Sequence, residues 1–107
     1  MIKELKLGKK IIKIRVVQKI PGEPKSVLGV FDPGDRVIYL RKQDKNEMMY
    51  TLLHEVCHAY IWHASLHNFI KPNVEELVCD TFANAFVDLS NNGFGDLVKG
   101  IDNGKEK

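Results

Sequence analysis

Apolar and polar positions alternate in two different periods along this chain, and the change from one to the other falls near residue 44. Before it, Ile11-Ile-Lys-Ile-Arg-Val-Val17 is β-branched and partly alternating, which predicts a strand. Ile20-Pro-Gly-Glu-Pro24 ends that strand with turn chemistry. Two short runs, Val27 to Phe31 and Arg36 to Arg41, flank Asp32-Pro-Gly-Asp35 and predict a β-hairpin, with Gly29 marking a bulge. After residue 44 the spacing is helical. Asp44-x-x-Glu47 is a capping signal, and Met49, Leu53, Val56, Cys57, Tyr60 and Ala64 fall on one side of the helix that follows, a core-facing stripe. Asn68-Phe-Ile-Lys-Pro72 connects to a second helix, from Asn73 to about Leu89. It is apolar on most sides and is expected to be largely enclosed. Beyond Ser90-Asn-Asn-Gly93, Phe94 and Leu97-Val98 are expected to dock as one short segment, with residues 99–107 as a loose tail. The expected architecture is α+β: a small N-terminal sheet of three strands, antiparallel or mixed, packed on two helices within a single domain spanning residues 1–107.

The first of these helices carries the chemistry. His54-Glu55-Val56-Cys57-His58 spells H-E-x-x-H. Successive helical residues turn by about 100°, so His54 and His58 project from one face, one turn apart, and suit a single Zn²⁺. Glu55 stands beside the metal rather than on it, where a general base can take a proton from water. A catalytic zinc needs a third protein ligand while keeping one position open. The candidates are His63, His67, Glu75 and Glu76. His63 lies about 180° round the helix from His54 and cannot reach the same ion. His67 falls beyond the helix. Glu76 is preferred because it opens Glu76-Leu-Val-Cys-Asp80, which puts Glu76 and Asp80 on one face. Asp80 is then placed to accept the far N–H of a ligating histidine and fix its tautomer. Glu75, about 100° off that face, ranks second. The bland alternative is that Glu76 closes a capping box with Asn73.

These residues resemble the gluzincin metallopeptidases, the thermolysin-like class with HExxH on one helix and a glutamate ligand followed by an aspartate on the next. Asp80-Thr-Phe-Ala83 is also similar to the segment after the third ligand in ImmA/IrrE-type peptidases, and the size is similar to that of the minigluzincins. The resemblance covers roughly residues 28–90. It implies a zinc-dependent endopeptidase with His54, His58 and Glu76 on one Zn²⁺, Asp80 behind them and Glu55 as general base. It also implies a protein or peptide substrate bound as an extended strand along a sheet edge. Larger gluzincins steady the oxyanion with a histidine or tyrosine from a further domain, and here the candidates for that task are Tyr39, Tyr50, Tyr60, His63 and His67. Two alternatives use the same residues: a zinc-bearing protein-interaction module without turnover, and a DNA-associated protease resembling the SprT-like group. The latter wants a histidine as third ligand.

Composition narrows the picture. With 16 Lys and Arg against 14 acids, the net charge of +2 implies no large bias toward nucleic acid. No apolar stretch approaches a membrane span, and Met1 to Lys10 is not a signal peptide, so the expected compartment is the cytoplasm. Cys57 and Cys79 read as buried thiols rather than a disulfide or metal pair. The basic N-terminus and the Phe94 to Val98 stretch are the segments that could fold back over the cleft and hold it latent.

Overall fold

The computed structural model describes residues 2–102, and its first element is one the hydrophobic pattern did not announce. Strand β1 (Ile2–Leu7) pairs antiparallel with β2 (Lys10–Val17) through a two-residue turn in which Gly8 takes φ +62°. That left-handed backbone suits the tight turns that match strand twist, and it favours glycine. Strand β3 (Gly29–Asp32) pairs antiparallel with β4 (Val37–Arg41), as the hairpin reading expected. Asp32 caps that turn by accepting from the backbone N–H groups of Gly34 and Asp35. β2 and β4 run parallel, so the sheet is mixed, in the order β1-β2-β4-β3. It has four strands rather than three.

Helix α1 (Lys45–His63) starts where the capping signal placed it, with the Asp44 side chain accepting from the Glu47 N–H. Its C-terminus is followed by a 3₁₀ turn (Leu66–Asn68), helix α2 (Pro72–Asn91) and helix α3 (Phe94–Asp102). The fold is α+β.

α1 is packed on two flanks, which corrects the single stripe expected for it. Met48, Leu52, Val56, Ala59 and Trp62 pack on the sheet, against a core of Leu7, Ile12, Ile38 and Leu40. Cys57 and Ile61 pack against Cys79 and Phe82 of α2 and against Ile70 in the connection that precedes it. Tyr60 and Ala64 are exposed. A helix held between two layers buries two arcs rather than one, and the arcs straddle the stripe that a one-sided reading draws. Each large aliphatic side chain in the main core contributes about 1.5–3 kcal/mol through burial.

α2 is less enclosed than its composition suggested. Only Cys79 and Ala83 are buried in it, while Leu77 is 66% exposed and Val74, Val78, Phe86 and Leu89 are also open. Among the described residues it packs on α1 along one side and on α3 near its end, where Phe94 meets Phe86 at 6.4 Å between ring centroids. The small side chains at Cys79 and Ala83 allow the close approach to α1. Pro72 occupies the first turn, as a residue lacking an N–H can. Residues 99–102, expected in the tail, continue α3, and 103–107 lie outside the described residues.

Arg41 organises the long connection between β2 and β3. Its guanidinium donates to the carbonyls of Gln18, Pro24 and Val27, three points on one loop. Ile20 anchors the same loop in the interior. The loop delivers β3 to the sheet edge above α1, and that placement shapes the site. No helix among the described residues is long and apolar enough to cross a membrane.

Candidate metal centre

His54 and His58 stand one turn apart on α1, facing α2, and their Nε2 atoms are 3.2 Å from each other. Glu76 reaches across from α2 so that one carboxylate oxygen lies 3.0 Å from His54 Nε2 and the other 3.0 Å from His58 Nε2. The three ligand atoms of this group all lie within 4.8 Å of one another, and it is the one cluster of its kind among the described residues. Ligands about 2.0–2.1 Å from a tetrahedral zinc are separated by about 3.3 Å, close to the spacing found here.

The far sides of both rings are also held. His54 Nδ1 is 2.8 Å from Asp80, as the four-residue spacing predicted. His58 Nδ1 meets Glu75, ranked in the sequence only as a substitute ligand. With an Nδ1–H directed to each carboxylate, both Nε2 atoms would be left as lone-pair donors. Two nitrogen lone pairs and a carboxylate then converge on one point. Such a set repels itself unless a cation sits among it, and borderline nitrogen and oxygen donors in this number suit Zn²⁺. The residues fit the metal.

Glu76 is therefore not a helix cap. The N-cap of α2 is Lys71, without a side-chain cap, and the Glu76 carboxylate is turned to the histidines. Tyr50 adds a further layer, its hydroxyl donating to Asp80 at 2.9 Å. Burial, then the Asp80 contact, raises the Tyr50 pKa.

Glu55 lies under the edge strand with 7% of its surface exposed. Burial pushes its pKa up, opposed by His58 and His54 and, least, by the Phe31 backbone of β3. Gly29 explains how β3 comes so close. A Cβ there would lie 2.5 Å from Thr51 Cγ2 and 3.2 Å from Glu55 Cγ. Gly29 pairs regularly with Leu40, so it marks a close approach and not a bulge.

These residues border an open cleft of about 660 Å³, lined on one side by Leu28 to Phe31 and on the other by His54, His58, Glu76 and Asp80. β3 is the sheet edge over it, with no further strand beyond among the described residues. Of the five oxyanion candidates, Tyr50 and His67 line the cleft. Tyr39 lies on the opposite face of the sheet, Tyr60 points into solvent, and His63 packs beside Gly8 at the β1–β2 turn. Residues 2–10 and Phe94 to Val98 do not border the cleft, so neither candidate plug covers it. Cys57 and Cys79 are free and buried, and burial raises both pKa values, as expected for inert thiols. No protein-family model, curated protein or solved structure matches this chain.

Proposed function

We propose that this protein is a zinc-dependent endopeptidase of the gluzincin type. The observation that carries the reading is the convergence of His54 Nε2, His58 Nε2 and the Glu76 carboxylate beside a buried Glu55, under an open sheet edge. When bound at these three residues, Zn²⁺ lowers the pKa of a water toward about 7 and draws charge from a carbonyl oxygen. Glu55 takes a proton from the attacking water at its carboxylate and delivers it to the leaving amine nitrogen. Asp80 and Glu75 hold the two rings in the tautomer that ligation requires. The free edge of β3 receives the substrate backbone as an additional strand, so binding depends little on sequence. Glu76 as the third donor favours this reading over a SprT-like one, which wants histidine there. Two free, buried thiols accord with a reducing compartment such as the cytoplasm.

Two paired measurements test the proposal. After dialysis against a weak chelator, the wild type should retain about one zinc per chain and Glu76→Ala should lose it. The zinc-loaded wild type should cleave an unfolded protein such as casein, and Glu55→Gln should keep the zinc and lose turnover. Zinc without any cleavage by the wild type would leave a zinc-bearing interaction module. Failure of the wild type to take up supplied zinc would sink both readings.

A further inference from the structure

The net charge of +2 conceals a partition. Residues 1–42 hold 11 of the 16 Lys and Arg but 4 of the 14 acids, a net +7, while residues 43–107 carry a net −5. The sheet half of the sequence is strongly basic and the helical half acidic.

Strand register shows where much of this positive charge goes. Ile12, Ile14 and Val16 of β2 point inward to α1, so Ile11, Lys13 and Arg15 point outward. Lys13 pairs with Val37 and Arg15 with Tyr39, and Lys6 of β1 lies opposite Ile11. The result is a second cleft of about 470 Å³ on the outer face, bordered by Ile11, Lys13, Arg15, Arg36, Val37 and Tyr39, with Asp35 its one acid. Lys6, Lys13, Arg15 and Arg36 are all exposed, and among the described residues none forms an ion pair. Among the described residues the close contacts between a basic side chain and a carboxylate are the four His–Asp/Glu contacts of the metal centre, on the opposite side. Arg41, by contrast, is occupied by loop carbonyls and adds nothing to this face.

Arg36 sits at the β3–β4 turn. Its φ is +55°, a left-handed backbone where glycine or asparagine is favoured, yet the position carries a cation that borders the cleft.

We propose that this outer sheet face binds single-stranded nucleic acid. Unpartnered cations spaced across a flat face complement a phosphate backbone. Tyr39, half-buried at their centre with Ile11 and Val37 beside it, offers an aromatic ring on which an unpaired base can stack. A duplex fits poorly, because its bases are already stacked and a four-stranded sheet is too broad to enter a groove that admits a two-stranded ribbon. An acidic peptide would satisfy the cations but not the ring. The face lies across the sheet from the metal centre, so its ligand and the cleft's substrate can be held together.

Fluorescence anisotropy with labelled oligothymidine and oligouridine of about 20 nucleotides tests the proposal on the full chain. Three phosphate contacts give a log–log salt slope near −2, so raising salt from about 50 to about 200 mM should weaken binding roughly 15- to 20-fold. Lys13→Gln with Arg15→Gln should remove most of that slope. Tyr39→Leu should weaken binding at least about fivefold at unchanged slope. Arg36→Gly guards against misfolding as an explanation, since it relieves the left-handed backbone while removing one cation. It should weaken binding without lowering the melting temperature. No binding at low salt would overturn the proposal. So would equal affinity for duplex, equal competition by polyglutamate or by anionic lipid vesicles, or a Tyr39→Leu protein that binds like the wild type. Protein self-association without oligonucleotide binding would assign the face to a second copy instead and overturn it too.

Discussion

The Glu75 carboxylate lies against Nδ1 of His58, on the far side of the ring from the nitrogen that meets Glu76. Adjacent residues on one helix thus serve the same imidazole from its two ends. Asp80 does for His54 what Glu75 does for His58. Carboxylates in this position set the tautomer and raise ligand basicity, and losing one typically weakens metal binding by about 10- to 100-fold. Glu75→Gln should therefore weaken zinc binding by about that factor, and Asp80→Asn should match it. Glu76→Ala should do more damage than either. Competition with a chromogenic chelator measures all three. An unaltered affinity in Glu75→Gln would show that the His58 contact has no role in metal binding.

The closeness of β3 to α1 makes a second prediction. A methyl group at position 29 would sit 2.5 Å from Thr51 Cγ2, inside any real contact distance. Gly29→Ala should cost about 1–3 kcal/mol, as overpacking of a tight interior does. Thr51→Ser removes the clashing methyl while keeping the hydroxyl that donates to Gln43. The double variant should recover most of the loss, measured as the urea midpoint in a double-mutant cycle. Additive losses would place the cost elsewhere, for instance on Glu55 Cγ at 3.2 Å.

Much of the site was legible because it is local. HExxH and ExxxD are each one helical turn, so their geometry is fixed by the backbone alone, and His54, His58, Glu76 and Asp80 assemble as their spacing requires. Glu75 was ranked second as a ligand, and its place behind His58 was not foreseen because it depends on how α2 is rotated against α1, which no single helix reveals. The signal was a surplus: three carboxylates within six positions for two histidines. The strand β1 was hidden because its aliphatic alternation is only Leu5-Lys-Leu7 long, with Lys3 where a further inward aliphatic would stand. Gly8 between Leu7 and Lys10 was the available hint of a turn. The apparent enclosure of α2 failed for another reason. Apolar residues on all sides state what a helix could bury, and only the packed layers decide what it does bury.

Arg41 offers a test of how the edge strand is held in place. One guanidinium joins Gln18, Pro24 and Val27 carbonyls, and a lysine ammonium cannot span the same three points. Arg41→Lys should destabilise the protein by about 1.5–3 kcal/mol, the range for a hydrogen bond to a charged group. The effect should concentrate on β3, with faster amide exchange at Gly29 to Phe31 than in β1. On the peptidase reading, KM should rise more than kcat falls, because the strand that receives substrate has loosened. Exchange that quickens evenly through the sheet would instead make Arg41 a general stabiliser.

Glu55 gives a prediction whose sign follows from its burial. A carboxyl raised above its usual value near 4.5 favours the protonated form in the folded chain. Folding is then unpenalised at pH below 4.5, and stability falls as pH rises through the folded pKa. Each pH unit of such a shift is worth about 1.4 kcal/mol. Glutamine at this position carries no charge to bury. With metal stripped, Glu55→Gln should melt above the wild type at neutral pH, by about 4–8 °C for each kcal/mol relieved. The gap should close as pH is lowered toward 4.5, where the wild-type carboxyl is already neutral. Adding zinc should narrow it at neutral pH as well, since a nearby cation stabilises the ionised carboxylate. Melting curves of both proteins across pH, with and without zinc, read this directly. A metal-free wild type that melts above Glu55→Gln at neutral pH would mean that Glu55 is stabilised by its contacts with Phe31 and the histidines more than it is penalised by burial.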